Sequence, residues 1–188
     1  MVGLLIQTGA DINAKNIKDE TPLYIAIENK KTEIAKVLID AGANLNTPIT
    51  ERGWTAIHFT TWHGNREVLE LLIQADVDLN IQDTDGNSPL HLAIIQKNKD
   101  IFALLIQAGA NLDIQNKDGE TPLYYVISHY DYSSSKNKEY NIKEIVNLLV
   151  QAGANPNIPS KNGYTPLSKA RHKDYKEIIK QLQQAGAR

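Results

Sequence analysis

The sequence predicts an all-α array of helix–turn–helix units linked by reversing turns. Three observations carry this. First, Gly-Ala recurs at Gly9-Ala10, Gly42-Ala43, Gly109-Ala110, Gly153-Ala154 and Gly186-Ala187, with Asp76-Val77 in the remaining slot, at spacings of 33, 34, 33, 44 and 33 residues. Second, Thr-Pro-Leu or a close variant recurs at Thr21, Thr55, Ser88, Thr121 and Thr165, at spacings of 34, 33, 33 and 44. Third, apolar residues follow the second marker at helical spacing, as in Leu23, Ala26 and Ile27, or Leu90, Ala93 and Ile94. Two markers holding one register over nearly the whole chain define a repeat protein.

Each unit builds up from its residues. The Thr or Ser is an N-cap whose side-chain oxygen accepts from an early helical N–H. The Pro after it has no N–H to waste and a helix-ready φ. This first helix is short, about two turns. A polar turn leads to a second helix, such as Ile34–Ile39 or Ile101–Ile106. Gly42, Gly109 and Gly153 stand where a left-handed C-terminal cap is required. A second Gly, at Gly53, Gly86, Gly119 and Gly163, fits a reversing turn before the next unit. Asp19 replaces the turn Gly and Asp76 the cap Gly; Asp tolerates the left-handed region at a cost of about 1 kcal/mol.

The order of turn, cap and helix markers, closest in Asp85-Gly86-Asn87-Ser88-Pro89-Leu90-His91-Leu92-Ala93, resembles the ankyrin repeat family over residues 1–188. The resemblance implies a single ankyrin-repeat α-solenoid whose paired helices stack side by side, with β-hairpin-like turns projecting at one edge and apolar faces buried only between neighbours. The units are cut as 1–15, 16–49, 50–82, 83–115, 116–159 and 160–188. The first is a lone second helix, expected to leave Leu4, Leu5 and Ile6 partly uncovered. This terminus reads as trimmed or fraying. The last ends in a one-sided helix, Lys176 to Gln184, of the kind a capping repeat has.

The 116–159 unit carries an eleven-residue insertion, 131–141, between its two helices. Tyr124, Tyr125, Tyr130, Tyr132 and Tyr140 place five of the eight tyrosines within seventeen residues there. Two readings stay open: a surface loop whose tyrosines pack on helix ends, or a recognition element in which Tyr130, Tyr132 and Tyr140 touch a partner.

Composition limits function. No cysteine is present, which excludes disulfides, thiolate metal sites and a cysteine nucleophile. Twenty basic and twenty-two acidic residues lack the excess that nucleic acid or an anionic membrane selects. Apolar runs are too short to span a bilayer, and the N-terminus has no signal-peptide pattern. A soluble, cytoplasmic monomer without cofactor or metal is expected.

The Asn residues of stretches such as Asp11-Ile12-Asn13 and Asn155-Pro156-Asn157 are expected to shape turns through local bonds to the backbone. Of five histidines, His58 and His91 fill the fourth slot of the Thr-Pro-Leu-His motif, which the family resemblance makes structural, tying the helix start to a neighbouring turn. His63, His129 and His172 end first helices of different units, roughly 10 Å apart per unit and too far for joint metal ligation. No nucleophile elbow, phosphate loop or metalloprotease helix occurs.

The resemblance also implies that partners bind a concave surface formed by turn tips and first helices. Carried over slot by slot, both tryptophans fall on it in one unit, among mostly polar neighbours. Trp and Arg are enriched at interface hot spots. Arg52, Trp54, Trp62 and His63 are therefore the expected centre of a protein-binding site, extended by Ile95, Gln96, His129 and Tyr164. The rival is that a Trp fills a groove between repeats. On the first view Trp54→Ala leaves stability within about 0.5 kcal/mol. The expected function is a non-enzymatic interaction scaffold for a protein partner. An inhibitory or regulatory subunit of an enzyme, or a microbial effector acting on host proteins, would use the same surface.

Overall fold

A computed structural model describes residues 2–130 and 142–188, with the side chains of Val2 and Leu5 excepted. The Leu5 expectation and the insertion, with Tyr132 and Tyr140, lie outside the described residues. The chain forms two compact units, Met1–Asp85 and Gly86–Arg188. Among the described residues there are eleven helices and no strand.

In the first unit, α1 (Val2–Gln7) packs on α3 (Thr32–Asp40). The hairpin of α2 (Pro22–Glu28) with α3 stacks on the hairpin of α4 (Ala56–His63) with α5 (Arg66–Gln74), first helix against first and second against second. In the second unit, α6 (Pro89–Ile95) pairs with α7 (Lys99–Gln107), α8 (Pro122–His129) with α9 (Ile142–Gln151), and α10 (Pro166–His172) with α11 (Lys176–Gln184). There α8 packs between α6 and α10, and α9 packs on α11.

Capping fixes where each first helix starts. Thr21, Thr121 and Thr165 accept from the N–H three residues on, each at 3.2 Å. In α4 and α6 a histidine completes the cap: the Thr55 N–H donates to His58 Nδ1, and the Ser88 N–H to His91 Nδ1, both at 3.2 Å. His91 must then carry its proton on Nε2, which donates to the Glu120 carbonyl at 2.9 Å. That bond joins a helix start to the turn of the next repeat, as expected of this slot.

The left-handed sites are where the markers put them. Gly42 has φ +84°, Asp19 +61° and Asp76 +57°. The first-to-second helix joint holds a further set, Lys30, Lys97 and Asp174 at φ +54° to +56°, where only the 50–82 unit has a glycine, Gly64. A Cβ on Gly119 would sit 2.6 Å from the Lys161 backbone nitrogen, so neighbouring turns in the second unit meet too closely for any side chain there.

The core lies between stacked hairpins. Ile57, Leu69 and Leu72 are fully buried in the first unit, and Leu90, Phe102, Leu105, Leu123, Ile127 and Ile145 in the second. Leu4 is 65 % exposed on α1, and Ile6 is half-buried. Turn Asn side chains make the expected local bonds, with Asn44 Oδ1 accepting from Asn46 N–H at 2.9 Å and Asn155 Oδ1 from Asn157 N–H at 3.0 Å, and Asp11 Oδ1 does the same for Asn13 N–H at 2.9 Å. They also reach the next repeat: Asn13 Oδ1 accepts from Asn44 N–H, Asp113 Oδ1 from Asn155 N–H and Asn157 Oδ1 from Arg188 N–H, at 2.8–2.9 Å.

Candidate functional site

In the first unit the turn 49–54 is closed by the Ile49 N–H donating to the Trp54 carbonyl at 2.8 Å. It is held to the following turn by the Thr84 N–H on the Arg52 carbonyl, also 2.8 Å. This places Arg52 exposed at the tip, with its guanidinium 5.8 Å from the centre of the Trp54 ring. Trp54 departs from expectation. It is only 7 % exposed, because its ring turns inward and its Nε1–H donates to Asp83 Oδ2 at 3.2 Å. Asp83 is itself 9 % exposed, so the indole N–H and the carboxylate satisfy each other away from water. Trp54 supports the surface from beneath and does not form it.

Trp62 lies on that support. Its ring is 5.0 Å from Trp54, and it stays half-buried at the end of α4. The helix repeat brings Phe59 and His63 onto one face, where the exposed His63 ring stacks on Phe59 at 4.1 Å. Phe59 meets Tyr24 edge-on at 4.9 Å. His63 Nδ1 lies 2.9 Å from the Phe59 carbonyl, which can only accept, so Nδ1 carries the proton. His63 Nε2 makes no hydrogen bond among the described residues.

Beside it opens a cleft of about 240 Å³ lined by Ile27, Glu28, Lys30, His63, Gly64 and Asn65. That is below the size of ordinary small-molecule pockets. At its edge the Tyr24 hydroxyl donates to Glu28 Oε1 at 3.1 Å. Burial first, then the Glu28 hydrogen bond and charge and the Glu20 charge, push the Tyr24 phenol up to about 12.

In the second unit the same slot is tied down. His129 stacks on Tyr125 at 4.2 Å, but its Nε2 meets Glu120 Oε2 at 2.9 Å. Burial and then the Glu120 charge raise the Tyr125 phenol above its ordinary value. Ile95 is half-buried, Gln96 is exposed, and Tyr164 is 48 % exposed at its turn. Tyr130, the C-cap of α8, donates its hydroxyl to the Ile94 and Ile95 carbonyls at 2.8 and 3.2 Å. Burial, then the Tyr125 charge, push its phenol up to about 12. The Lys97 ammonium sits 5.1 Å from the Tyr130 ring centre. Lys173 Nζ donates to the Ser128 and Tyr130 carbonyls at 2.7 and 3.3 Å, and the Tyr175 hydroxyl donates to the Tyr130 carbonyl at 3.0 Å.

The structure thus groups Arg52, Trp54, Trp62 and His63 in one unit, with Phe59, Tyr24 and Asp83 as supports that the sequence reading left out. The aromatic–His pairs four residues apart were a usable signal. Asp83, at 29 residues from Trp54, gave none. Among the described residues no group of three His, Asp or Glu is placed to hold a metal ion. Among them, too, no helix is long and apolar enough to cross a membrane.

Known proteins align with this geometry. Family models for ankyrin repeats in three copies match residues 1–83 and 75–136, and the single ankyrin repeat model matches 118–161. An ankyrin repeat domain from Acinetobacter baumannii superposes with a TM-score of 0.83 at 30 % identity, covering 100 % of this chain and 93 % of that one. The ankyrin repeat domain of Bcl-3, described as a member of the IkappaB protein family, gives 0.83 at 26 % identity, covering 100 % and 79 %. A putative ankyrin repeat protein of Fowlpox virus is 34 % identical over 97 residues, 50 % of this chain and 28 % of its own. One of Rickettsia bellii is 38 % identical over 73 residues, 38 % of this chain and 10 % of its own. The chain therefore spans under a third of the length of either of these curated relatives. The chain belongs to the ankyrin repeat family, whose repeats are protein–protein interaction modules and typically not enzymes.

Proposed function

We propose that the chain is a non-enzymatic scaffold that holds a protein partner on its turn tips and first helices. The centre of the site is Trp62 with the exposed Arg52 and His63 around it, and Trp54 fixes their positions from below. One observation carries this reading: a half-buried Trp rests on a buried Trp in a slot that other repeats fill with Glu28, Ile95, Ser128 or His172. A rigid aromatic loses little side-chain entropy on binding, and a preformed support lowers the ordering cost further. In the second unit Ile95, Gln96, His129 and Tyr164 are secondary contacts. The insertion keeps its two readings.

An enzyme-regulating or host-directed role would use this surface and differ only in the partner. The test is capture of partners with wild type and with Trp62→Ala, read by mass spectrometry, alongside thermal melts of both. The proposal expects specific proteins to disappear from the variant while its melting midpoint falls only slightly. The same proteins retained by a folded variant would refute the assigned surface.

A further inference from the structure

The chain-wide charge balance hides a strong asymmetry. Residues 160–188 hold seven basic residues against two acidic ones, a net charge of +5, whereas residues 1–159 hold thirteen against twenty, a net charge of −7. The basic side chains of this last repeat are also distributed in a way the fold does not require. Lys169 and Arg171 lie in the last turn of α10, where cations offset the helix dipole. Lys176, however, opens α11, at the helix end where the dipole disfavours a cation, and Lys180 follows four residues on, on the same face. Gln183 and Gln184 show that uncharged polar residues serve exposed positions of the same helix equally well.

The three residues between α10 and α11 bring Arg171 and Lys176 to one end of the hairpin, with Lys180 one turn beyond. All three are exposed, and their side chains make no ion pair or hydrogen bond among the described residues. Of the two acidic residues, Glu177 is already engaged by Lys143 at 3.5 Å, and Asp174 occupies the left-handed joint.

We propose that Arg171, Lys176 and Lys180 form a second docking surface, for an Asp- and Glu-rich segment of a protein partner. Charge complementarity selects an anion, and the protein-binding reading above, on which this proposal rests, selects an acidic protein segment over a duplex or a bilayer.

The experiment measures binding of a labelled oligoglutamate peptide to the full chain by fluorescence anisotropy, at low and moderate salt. The triple variant Arg171→Gln, Lys176→Gln, Lys180→Gln should bind about tenfold more weakly. A control replacing the exposed Lys15, Lys31 and Lys36 by Gln should stay within about twofold, and added salt should weaken wild-type binding. Circular dichroism melts confirm that both variants fold. Equal losses in the two variants, or no binding at low salt, would overturn the proposal. Tighter binding of a DNA duplex or of anionic phospholipid vesicles than of the peptide would overturn the assignment to a protein segment. Trp62→Ala should leave peptide binding unchanged, so failure here is separable from failure of the Trp62 surface.

Discussion

In the first unit His63 lies on Phe59 at 4.1 Å, and in the second His129 lies on Tyr125 at 4.2 Å, in the same slot of the repeat. What the rings bond to differs. His63 turns its N–H back to its own helix and leaves Nε2 toward solvent beside a half-buried Trp62. His129 spends its Nε2 on the buried Glu120, whose carbonyl also anchors His91. One stack ends in an open surface and the other in a closed network. A repeat slot therefore fixes where a side chain stands, and residues elsewhere in the same repeat decide which of its polar atoms are left open.

The largest expected effect tests the support under the open surface. Trp54→Ala removes a buried ring and strands Asp83, and should cost about 3 kcal/mol in chemical denaturation. A loss below about 0.5 kcal/mol would return Trp54 to the exposed role first expected of it. Next, Glu120→Ala should destabilise by about 2 kcal/mol, because it takes the partner of His129 from a buried position. His63→Ala should change stability by no more than about 0.5 kcal/mol. Similar losses at both sites would erase the contrast between open and closed stacks.

Each region also has an alkaline signature. The Tyr24 and Tyr130 phenols hold their protons to about 12, against an ordinary value of 10.0. Between those values the unfolded chain binds fewer protons than the native one, so stability falls as pH rises. Below 10.0 both states are protonated and this contribution is complete. Spectrophotometric titration should show tyrosines ionising late and together with unfolding. In Tyr130→Phe, which loses two hydrogen bonds to carbonyls, neutral-pH stability should drop by about 1 kcal/mol. The smallest effect concerns the joints. Lys30→Gly should stabilise by about 0.5 kcal/mol, since relief of positive φ outweighs the added chain entropy. Destabilisation would mean that the Lys30 side chain contributes contacts.

Much of the fold was legible in the sequence because its determinants are local. Thr-Pro-Leu and Gly-Ala are caps and turns, and Asp19 and Asp76 take the left-handed conformations that their register demands. The joint at Lys30, Lys97 and Asp174 was not legible, since a glycine marks it only at Gly64. The candidate site was half legible. Arg52, Trp62 and His63 stand out because their types are unusual for their slots. Trp54 did not reveal its burial, because the acceptor of its N–H lies in the next repeat's turn. The clasp on Tyr130 was equally hidden: Ile94 and Lys173 are 36 and 43 residues away.

The most direct measurement is the equilibrium affinity, by titration calorimetry, of the captured partner for wild type and for Trp62→Ala. The account predicts a loss of about 2 kcal/mol, roughly thirtyfold, with the melting midpoint nearly unchanged. Equal affinity for the two proteins would contradict it.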